Sequence, residues 1–197
     1  MIHNLLPEDL RKSLIMTGKS LNRTDLFWLL GGSCGLFLQG VNLNKDPRDI
    51  DVYTDIDAVS ALHQELELWA EDAPHIDEEG IYKSVLSHYE IDGYTTELVG
   101  GFRVTSQESV YQVKIKDLLY AYAPEVSIDD TTFRLMPLSH ELVFNILRNR
   151  SERYEAIAEV IRQQPENHEE LLRKIVSQSQ WSCSHLSLIK QLTRISL

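Results

Sequence analysis

Two short stretches, Trp28–Ser33 (WLLGGS) and Arg48–Tyr53 (RDIDVY), decide the fold of this 197-residue chain. The first is an apolar run that ends at Gly31, which is typical of a buried strand followed by a tight turn and a helix. The second carries two carboxylates, Asp49 and Asp51, in a strand-like run. Because side chains alternate between the two faces of a strand, both carboxylates are predicted to project to the same side of a sheet.

The composition is that of an ordinary globular protein, with 43% hydrophobic and 25% charged residues. No apolar run is long enough to span a bilayer, and Met1–Leu10 contains Glu8 and Asp9 and lacks the pattern of a signal peptide. The two cysteines, Cys34 and Cys183, do not amount to a disulfide framework. We therefore expect a cytoplasmic protein with no membrane partner.

The net charge of −11 is unevenly distributed, since residues 1–147 carry −13 and residues 148–197 carry +2. Binding of DNA or RNA normally requires a basic face, because neutralisation of phosphates supplies most of the affinity. The charge therefore disfavours a nucleic-acid partner without excluding one. An acidic surface suits a neutral or cationic small molecule, but it can equally serve solubility alone.

The periodicity of the chain predicts an α/β (α+β) protein, with a small mixed sheet and flanking helices. An Asp-Gly pair between two strand-like runs is a strong hairpin signal, and we expect Gly100-Gly101 to end the second of these runs. The predicted helices are Glu8–Thr17, Cys34–Gln39 and Ile56–Ala70, and the predicted strands are Leu26–Leu30, Ile50–Tyr53, Ile81–Ile91, Tyr94–Val99, Ser109–Ile115 and Thr131–Leu135.

The pattern changes from Leu138 onward, where apolar residues recur at helical spacing as far as Leu192. Pro165 and the polar stretch 177–184 separate the helices of this part. We therefore predict a catalytic domain over residues 1–136 and a C-terminal helical region over residues 137–197.

A third carboxylate, Glu97, lies on the second strand of the predicted hairpin. If that strand is a neighbour of the strand with Asp49 and Asp51, the three acids form one cluster, which is costly unless a cation compensates the charge. Carboxylate oxygens are ligands that Mg²⁺ prefers. Taken singly, each feature has a plainer explanation: an Asp-x-Asp usually marks a solvated strand end, Gly31-Gly32 a tight turn and Ser33 a helix cap.

The joint order of these features resembles the DNA polymerase beta-like nucleotidyltransferase superfamily, as seen in its small bacterial-type members. The resemblance covers about Phe27 to Val99 and includes a glycine turn, an Asp-x-Asp and a third acid on a later strand, with a helical tail that is also typical. In this chain the matching positions are Gly31, Gly32 and Ser33 for the turn, and Asp49, Asp51 and Glu97 for the acids.

The resemblance implies transfer of a nucleoside monophosphate from a nucleoside triphosphate, such as ATP, to an acceptor hydroxyl. Asp49, Asp51 and Glu97 would be the catalytic and metal-binding residues, with two Mg²⁺ ions. The backbone N–H groups of Gly32 and Ser33, next to Gly31, would bind the terminal phosphates of the nucleotide. The remaining contacts to phosphate stay open: Arg148, Arg150 and Arg153 could reach phosphate or form a solvated helix end, and the other candidates are Lys83, Arg103, Lys114 and Lys116.

The acceptor is not disclosed by the sequence, and three functions stay open. The first is an enzyme that acts on a small hydroxylated molecule, which the acidic charge favours. The second is the nucleotidyltransferase-like component of a toxin–antitoxin or defence pair that acts on protein or RNA. The third is a non-catalytic nucleotide-binding module, which the presence of all three carboxylates disfavours. A homodimer or a small helical partner protein is compatible with each of them.

Overall fold

A mixed sheet of six strands lies at the centre of the protein, whose computed structural model describes residues 6–197. The first residues of the Met1–Leu10 segment, residues 1–5, lie outside the described part. The strands are β1 (Trp28–Gly31), β2 (Ile50–Thr54), β3 (His75–Asp77), β4 (Tyr82–Ile91), β5 (Tyr94–Ser106) and β6 (Ser109–Gln112). Their order is β1-β2-β5-β4-β3, and β6 pairs with the C-terminal end of β5. β2 and β5 are parallel, whereas the other neighbours are antiparallel.

Helices flank this sheet and make up most of the C-terminal part of the chain. They are α1 (Glu8–Leu21), α2 (Gly32–Leu38), α3 (Val59–Leu66), α4 (Leu138–Leu147), α5 (Ser151–Ile161), α6 (Glu166–Ser177) and α7 (Cys183–Thr193), and a separate hairpin consists of β7 (Glu125–Ile128) and β8 (Thr131–Arg134). The α/β (α+β) class, the mixed sheet and the helical C-terminal part are as predicted. Within residues 6–197, no helix combines the length and the apolarity needed to cross a membrane.

The two faces of the sheet belong to two hydrophobic cores, as the period of two in its strands requires. Leu30, Val52 and Leu98 pack into one core together with α1 and α3. Leu29, Tyr53 and Val99 pack into the other core together with α4 to α7. Because Asp51 alternates with Val52, and Glu97 with Leu98, both carboxylates lie on the face that the C-terminal helices cover.

The end of β5 differs from the prediction. The strand does not stop at Gly100-Gly101 but continues to Ser106. A Cβ atom at Gly100 would lie 2.0 Å from Cγ2 of Val59, so this glycine allows α3 to approach the sheet. Gly101 has a φ of +61°, and the register with β4 shifts nearby, so the strand is locally irregular there rather than finished. The two glycines therefore serve close packing and a local irregularity within one long strand.

Candidate active site

Four residues form a continuous row across four neighbouring strands of the sheet. Gly31 of β1 is in register with Asp51 of β2, Asp51 with Glu97 of β5, and Glu97 with His88 of β4. Side chains at paired positions of neighbouring strands lie on the same face. The structure thus brings Asp51 and Glu97 side by side, although 46 positions of the numbering separate them.

Asp49 completes the predicted set of acids from a bend immediately before β2, where it is exposed to solvent. The hydroxyl group of Ser33 donates a hydrogen bond to Oδ1 of Asp49 at 2.9 Å. The thiol of Cys34 donates to the backbone oxygen of the same residue at 3.2 Å. Ser33 of the glycine turn and the next residue of α2, Cys34, therefore orient Asp49.

The glycine turn packs directly against Asp51. Gly32 has a φ of +57°, a backbone conformation that glycine adopts without steric cost. A Cβ atom at this position would lie 1.7 Å from Oδ2 of Asp51. The absence of a side chain at Gly32 is therefore what lets the carboxylate of Asp51 stand next to the turn.

A fourth carboxylate, Glu141, reaches the same turn from the C-terminal helices, and the sequence analysis did not identify it. Glu141 lies on α4 with 2% of its surface exposed. Its Oε1 accepts a hydrogen bond from the backbone N–H of Gly32 at 3.1 Å. In the structure the amide of Gly32 and the hydroxyl group of Ser33 donate to carboxylates. The binding of phosphates by Gly32 and Ser33 therefore stays a prediction.

The electrostatics of the site reflect several acids in a small volume. The pKa of Asp51 rises to about 8, first through burial and then through the charges of Asp49, Glu97 and Glu141, against the opposing charge of Arg153. Burial also raises the pKa of Glu97, for which His88 is the largest opposing charge. The pKa of Glu141 rises to about 7 through burial, which the hydrogen bond from Gly32 partly offsets. The protein therefore holds these acids together at an energetic cost.

A divalent metal ion fits this set of residues by its donor chemistry. Carboxylate oxygens are the ligands that Mg²⁺ prefers, and the repulsion that raises the pKa of Asp51 is what a cation would relieve. Among residues 6–197, however, no three His, Cys, Asp or Glu side chains already stand in the arrangement of a metal site. The acids that we assign to a metal are thus compatible with it chemically but are not preformed as a complete ligand set.

A cavity of about 340 Å³ opens beside Ser33 and Asp49, and its charged lining side chains are four basic ones and three acidic ones, the acids being Asp46, Asp49 and Glu152. Among the residues that line it are Lys45 and Arg48 from the loop before β2, and Arg150 and Arg153 from the start of α5. Arg150 forms an ion pair with Glu152 at 3.1 Å, and over the whole cavity the basic side chains exceed the acidic ones by one, which favours a polyanion only slightly. Sequence reasoning had left Arg150 and Arg153 open and had missed Lys45 and Arg48, which come near them only in the folded chain.

A second cavity, of about 150 Å³, lies on the side of Asp51 and Glu97. Its walls combine the acid Asp77 and the base Arg148 with aromatic rings, namely Tyr53, Tyr82, Phe102 and Phe144. The rings of Tyr82 and Phe102 stack at 5.8 Å, and Nε of Arg148 donates a hydrogen bond to the hydroxyl group of Tyr82 at 2.9 Å. The acids thus border two cavities of mixed charge, one beside the glycine turn with a small excess of basic side chains and one with aromatic walls.

His88, at the end of the row, is fixed by a carboxylate outside the predicted site. Its Nδ1 donates a hydrogen bond to Oδ2 of Asp72 at 2.7 Å, and its backbone N–H donates to Oδ1 at 2.6 Å. The hydrogen bond from its ring to Asp72 raises the pKa of His88. His88 is therefore a partly exposed imidazole that adds positive character beside Glu97.

The mixed sheet and its flanking helices have the fold of solved nucleotidyltransferase structures. The protein is similar in structure to a Thermotoga maritima protein provisionally assigned as a nucleotidyltransferase, with 19% identity and a TM-score of 0.63, over 81% of this chain and 96% of that one. It is also similar to the antibiotic-resistance factor ANT(2'')-Ia. The solution structure of ANT(2'')-Ia matches at 14% identity and a TM-score of 0.52, over 92% of this chain and 96% of that one.

The structure of ANT(2'')-Ia in complex with adenylyl-2''-tobramycin matches at 14% identity and a TM-score of 0.51, over 86% of this chain and 98% of that one. No protein-family model matches the sequence, and no curated protein matches it. At these identities the comparisons establish the fold that the sequence predicted, and the chemistry has to be argued from the residues.

Proposed function

We propose that the protein is a Mg²⁺-dependent nucleotidyltransferase that transfers a nucleoside monophosphate from a nucleoside triphosphate to a hydroxyl group of a small acceptor molecule. The observation that carries this proposal is the register of β2 and β5, in which Asp51 and Glu97 are direct neighbours on one face. Asp49 stands two residues before Asp51, beside the glycine turn. The fold and the position of the acids within it support the same reaction.

The two cavities give the substrates separate places on either side of the acids. The cavity beside Ser33 and Asp49 suits the triphosphate, because Lys45, Arg48, Arg150 and Arg153 would neutralise part of its charge. The aromatic cavity suits part of the acceptor, since stacked rings bind an apolar or ring-shaped group and Asp77 attracts a cationic one. The excess of acidic residues over the chain also favours an acceptor without negative charge.

Asp49, Asp51 and Glu97 would hold the metal, for which we propose two ions, as the resemblance implies. Bound there, Mg²⁺ would neutralise charge on the phosphates and on the reacting oxygens. The protein's own part is positioning, because its side chains would hold the acceptor hydroxyl in line with the phosphorus atom that is attacked. The hydroxyl oxygen would bond to this phosphorus atom as pyrophosphate leaves, and Glu97 is our candidate for accepting the hydroxyl proton.

The test is transfer of label from nucleoside triphosphates that carry it on the α-phosphate, with Mg²⁺ and a panel of hydroxylated cationic small molecules. We expect labelled products with the unaltered protein and a loss of at least about 100-fold in Asp49→Asn and Asp51→Asn, because each removes a metal-binding charge. Asp57→Asn is the matched control, since Asp57 is exposed and lies outside the site.

Three results would contradict this proposal. The first is full turnover in Asp51→Asn. The second is transfer of label only to protein or RNA from a cell extract, which would favour the component of a toxin–antitoxin or defence pair. The third is failure of the unaltered protein to bind any nucleoside triphosphate in the presence of Mg²⁺, measured by calorimetry, which would exclude both enzymes.

A further inference from the structure

We propose that Glu141 is a positioning residue, which caps α2 from a distant helix and thereby holds the glycine turn against Asp51. As a role in catalysis this inference rests on the proposed function, but the hydrogen bond on which it depends does not. Glu141 acts through the turn and does not itself touch a substrate.

The first argument is that Glu141 is an exception within its helix. All ten residues of α4 are buried, and Glu141 is the one charged residue among them. Burial of a carboxylate costs several kcal/mol unless hydrogen bonds or an opposite charge compensate it. In the described part of the chain Glu141 makes no ion pair within 4.0 Å, and its side chain is bonded only to the amide of Gly32 and, at 3.4 Å, to the side-chain amide of Asn145.

The second argument is that α2 needs this hydrogen bond. The first N–H groups of a helix have no partner within the helix, and a Ser, Thr, Asp or Asn side chain at the N-cap usually accepts from one of them. The N-cap of α2 is Gly31, which has no side chain and makes no such bond. Glu141 supplies the missing acceptor from 109 residues away.

The third argument is that Gly31 leaves room for this acceptor. A Cβ atom at Gly31 would lie 3.2 Å from Oε1 of Glu141, closer than is usual for such a contact, and 2.7 Å from the ring of Tyr53. The two glycines of the turn thus serve different partners. Gly31 admits the ring of Tyr53 and, next to it, the carboxylate of Glu141, and Gly32 admits the carboxylate of Asp51.

The positions of these groups give Glu141 its role. Its carboxylate binds the N–H of Gly32. Gly32 also packs against Asp51, since a Cβ atom on this glycine would overlap Oδ2 of Asp51. A shift of the turn therefore changes the space in which Asp51 can stand. Errors of about 1 Å in the position of a catalytic group can cost about 100-fold in rate. Because the Gly32 N–H is already bonded to Glu141 and the triphosphate is proposed to lie in the cavity beside Ser33 and Asp49, we expect the cap to affect kcat more than nucleotide binding.

Two substitutions separate the reach of Glu141 from its charge. Glu141→Gln keeps an oxygen that can accept from Gly32 but removes the charge. Glu141→Asp keeps the charge, but its side chain is shorter by one carbon, about 1.5 Å. Ser139→Ala is the matched control, because it removes another hydrogen bond of α4, from the buried Ser139 to the backbone oxygen of His168, away from the turn.

Two measurements are made on each folded variant: hydrogen exchange of the Gly32 amide by NMR, and kcat and KM for the nucleoside triphosphate. We expect Glu141→Gln and Ser139→Ala to keep the Gly32 amide protected and kcat within about 3-fold of the unaltered protein. We expect Glu141→Asp to expose this amide to exchange and to lose about 10-fold or more in kcat, with KM changed by less than about 3-fold.

The proposal is overturned if Glu141→Asp is active while Glu141→Gln is not, because the charge rather than the cap would then matter. It is equally overturned if the Gly32 amide stays protected in Glu141→Asp. Should the unaltered protein show no transferase activity, the proposed function fails, whereas the exchange measurement still decides whether Glu141 caps the turn.

Discussion

At the scale of single residues, the carboxylate of Asp51 occupies the space that a side chain in place of Gly32 would need. We predict that Gly32→Ala lowers the free energy of unfolding by more than the backbone conformation alone explains, because the new Cβ would lie 1.7 Å from Oδ2 of Asp51. A residue with a side chain at such a φ costs about 1–2 kcal/mol. The displaced carboxylate should add to that cost and should lower transferase activity by at least about 10-fold. Chemical denaturation and a turnover assay measure the two effects.

Gly80 offers a matched control for this prediction. Its φ of +59° is close to that of Gly32, and a Cβ atom there would meet nothing within 4 Å. Gly80→Ala should therefore show the backbone cost alone and leave the activity unchanged. Equal losses of unfolding free energy in the two variants, with equal activity, would show that Asp51 does not depend on the turn.

The same scale shows how far the sequence predicts the site. Asp49, Asp51 and Glu97 were predictable from the strand-like runs around them, and the resemblance gave them a common role. Asp49 lies just before β2 rather than in it, and the register of β5 places Glu97 beside Asp51. Glu141 was not predictable, because its partner Gly32 is 109 residues away and no local pattern encodes that contact. Its signal in the sequence is a single acid within the apolar run Leu138–Leu147, which indicates a charge that a folded partner must satisfy.

At the scale of secondary-structure elements, the packing of α3 on β5 depends on one missing side chain. A Cβ atom at Gly100 would lie 2.0 Å from Cγ2 of Val59. We predict that Gly100→Ala lowers the free energy of unfolding by about 1–3 kcal/mol through overpacking. Val59→Ala removes the colliding methyl groups, so the double variant should lose at least about 1 kcal/mol less than the sum of the single variants. Strict additivity in chemical denaturation would refute the contact.

Elements were predictable where their pattern is long and missed where it is short. The hairpin of β4 and β5 and the helices α4 to α7 follow from the Asp-Gly signal and from helical spacing. Strand β3 (His75–Asp77) was missed, since it has three residues and two of them are exposed, so that no alternation is visible. Strand β7 (Glu125–Ile128) follows Pro124 and has only one fully buried residue, so its pairing with β8 depends on tertiary contacts.

At the scale of the whole molecule, one hydrophobic core joins the sheet to the C-terminal helices. Leu29, Tyr53 and Val99 of the sheet share it with Leu142 of α4 and Ile157 of α5. Division of the chain into residues 1–136 and 137–197 stays a prediction about its organisation. The shared core explains how Glu141 and Arg153, both from the C-terminal part, come to stand beside acids that the sheet carries.

The acids of the site also affect the stability of the whole protein, and this effect has a sign that can be tested. In the unfolded chain Asp51 titrates near its ordinary pKa of about 4, whereas in the folded protein its pKa is about 8. Between these values the folded protein binds more protons than the unfolded chain, so this group lowers the stability as the pH rises.

Mg²⁺ that binds only the folded protein should offset the loss. We therefore predict that Mg²⁺ raises the melting temperature more at about pH 8 than at about pH 5, and that Asp51→Asn abolishes most of this difference. Thermal unfolding with Mg²⁺ and with a chelator measures both, and an equal effect of Mg²⁺ at the two pH values would contradict a metal site at Asp51.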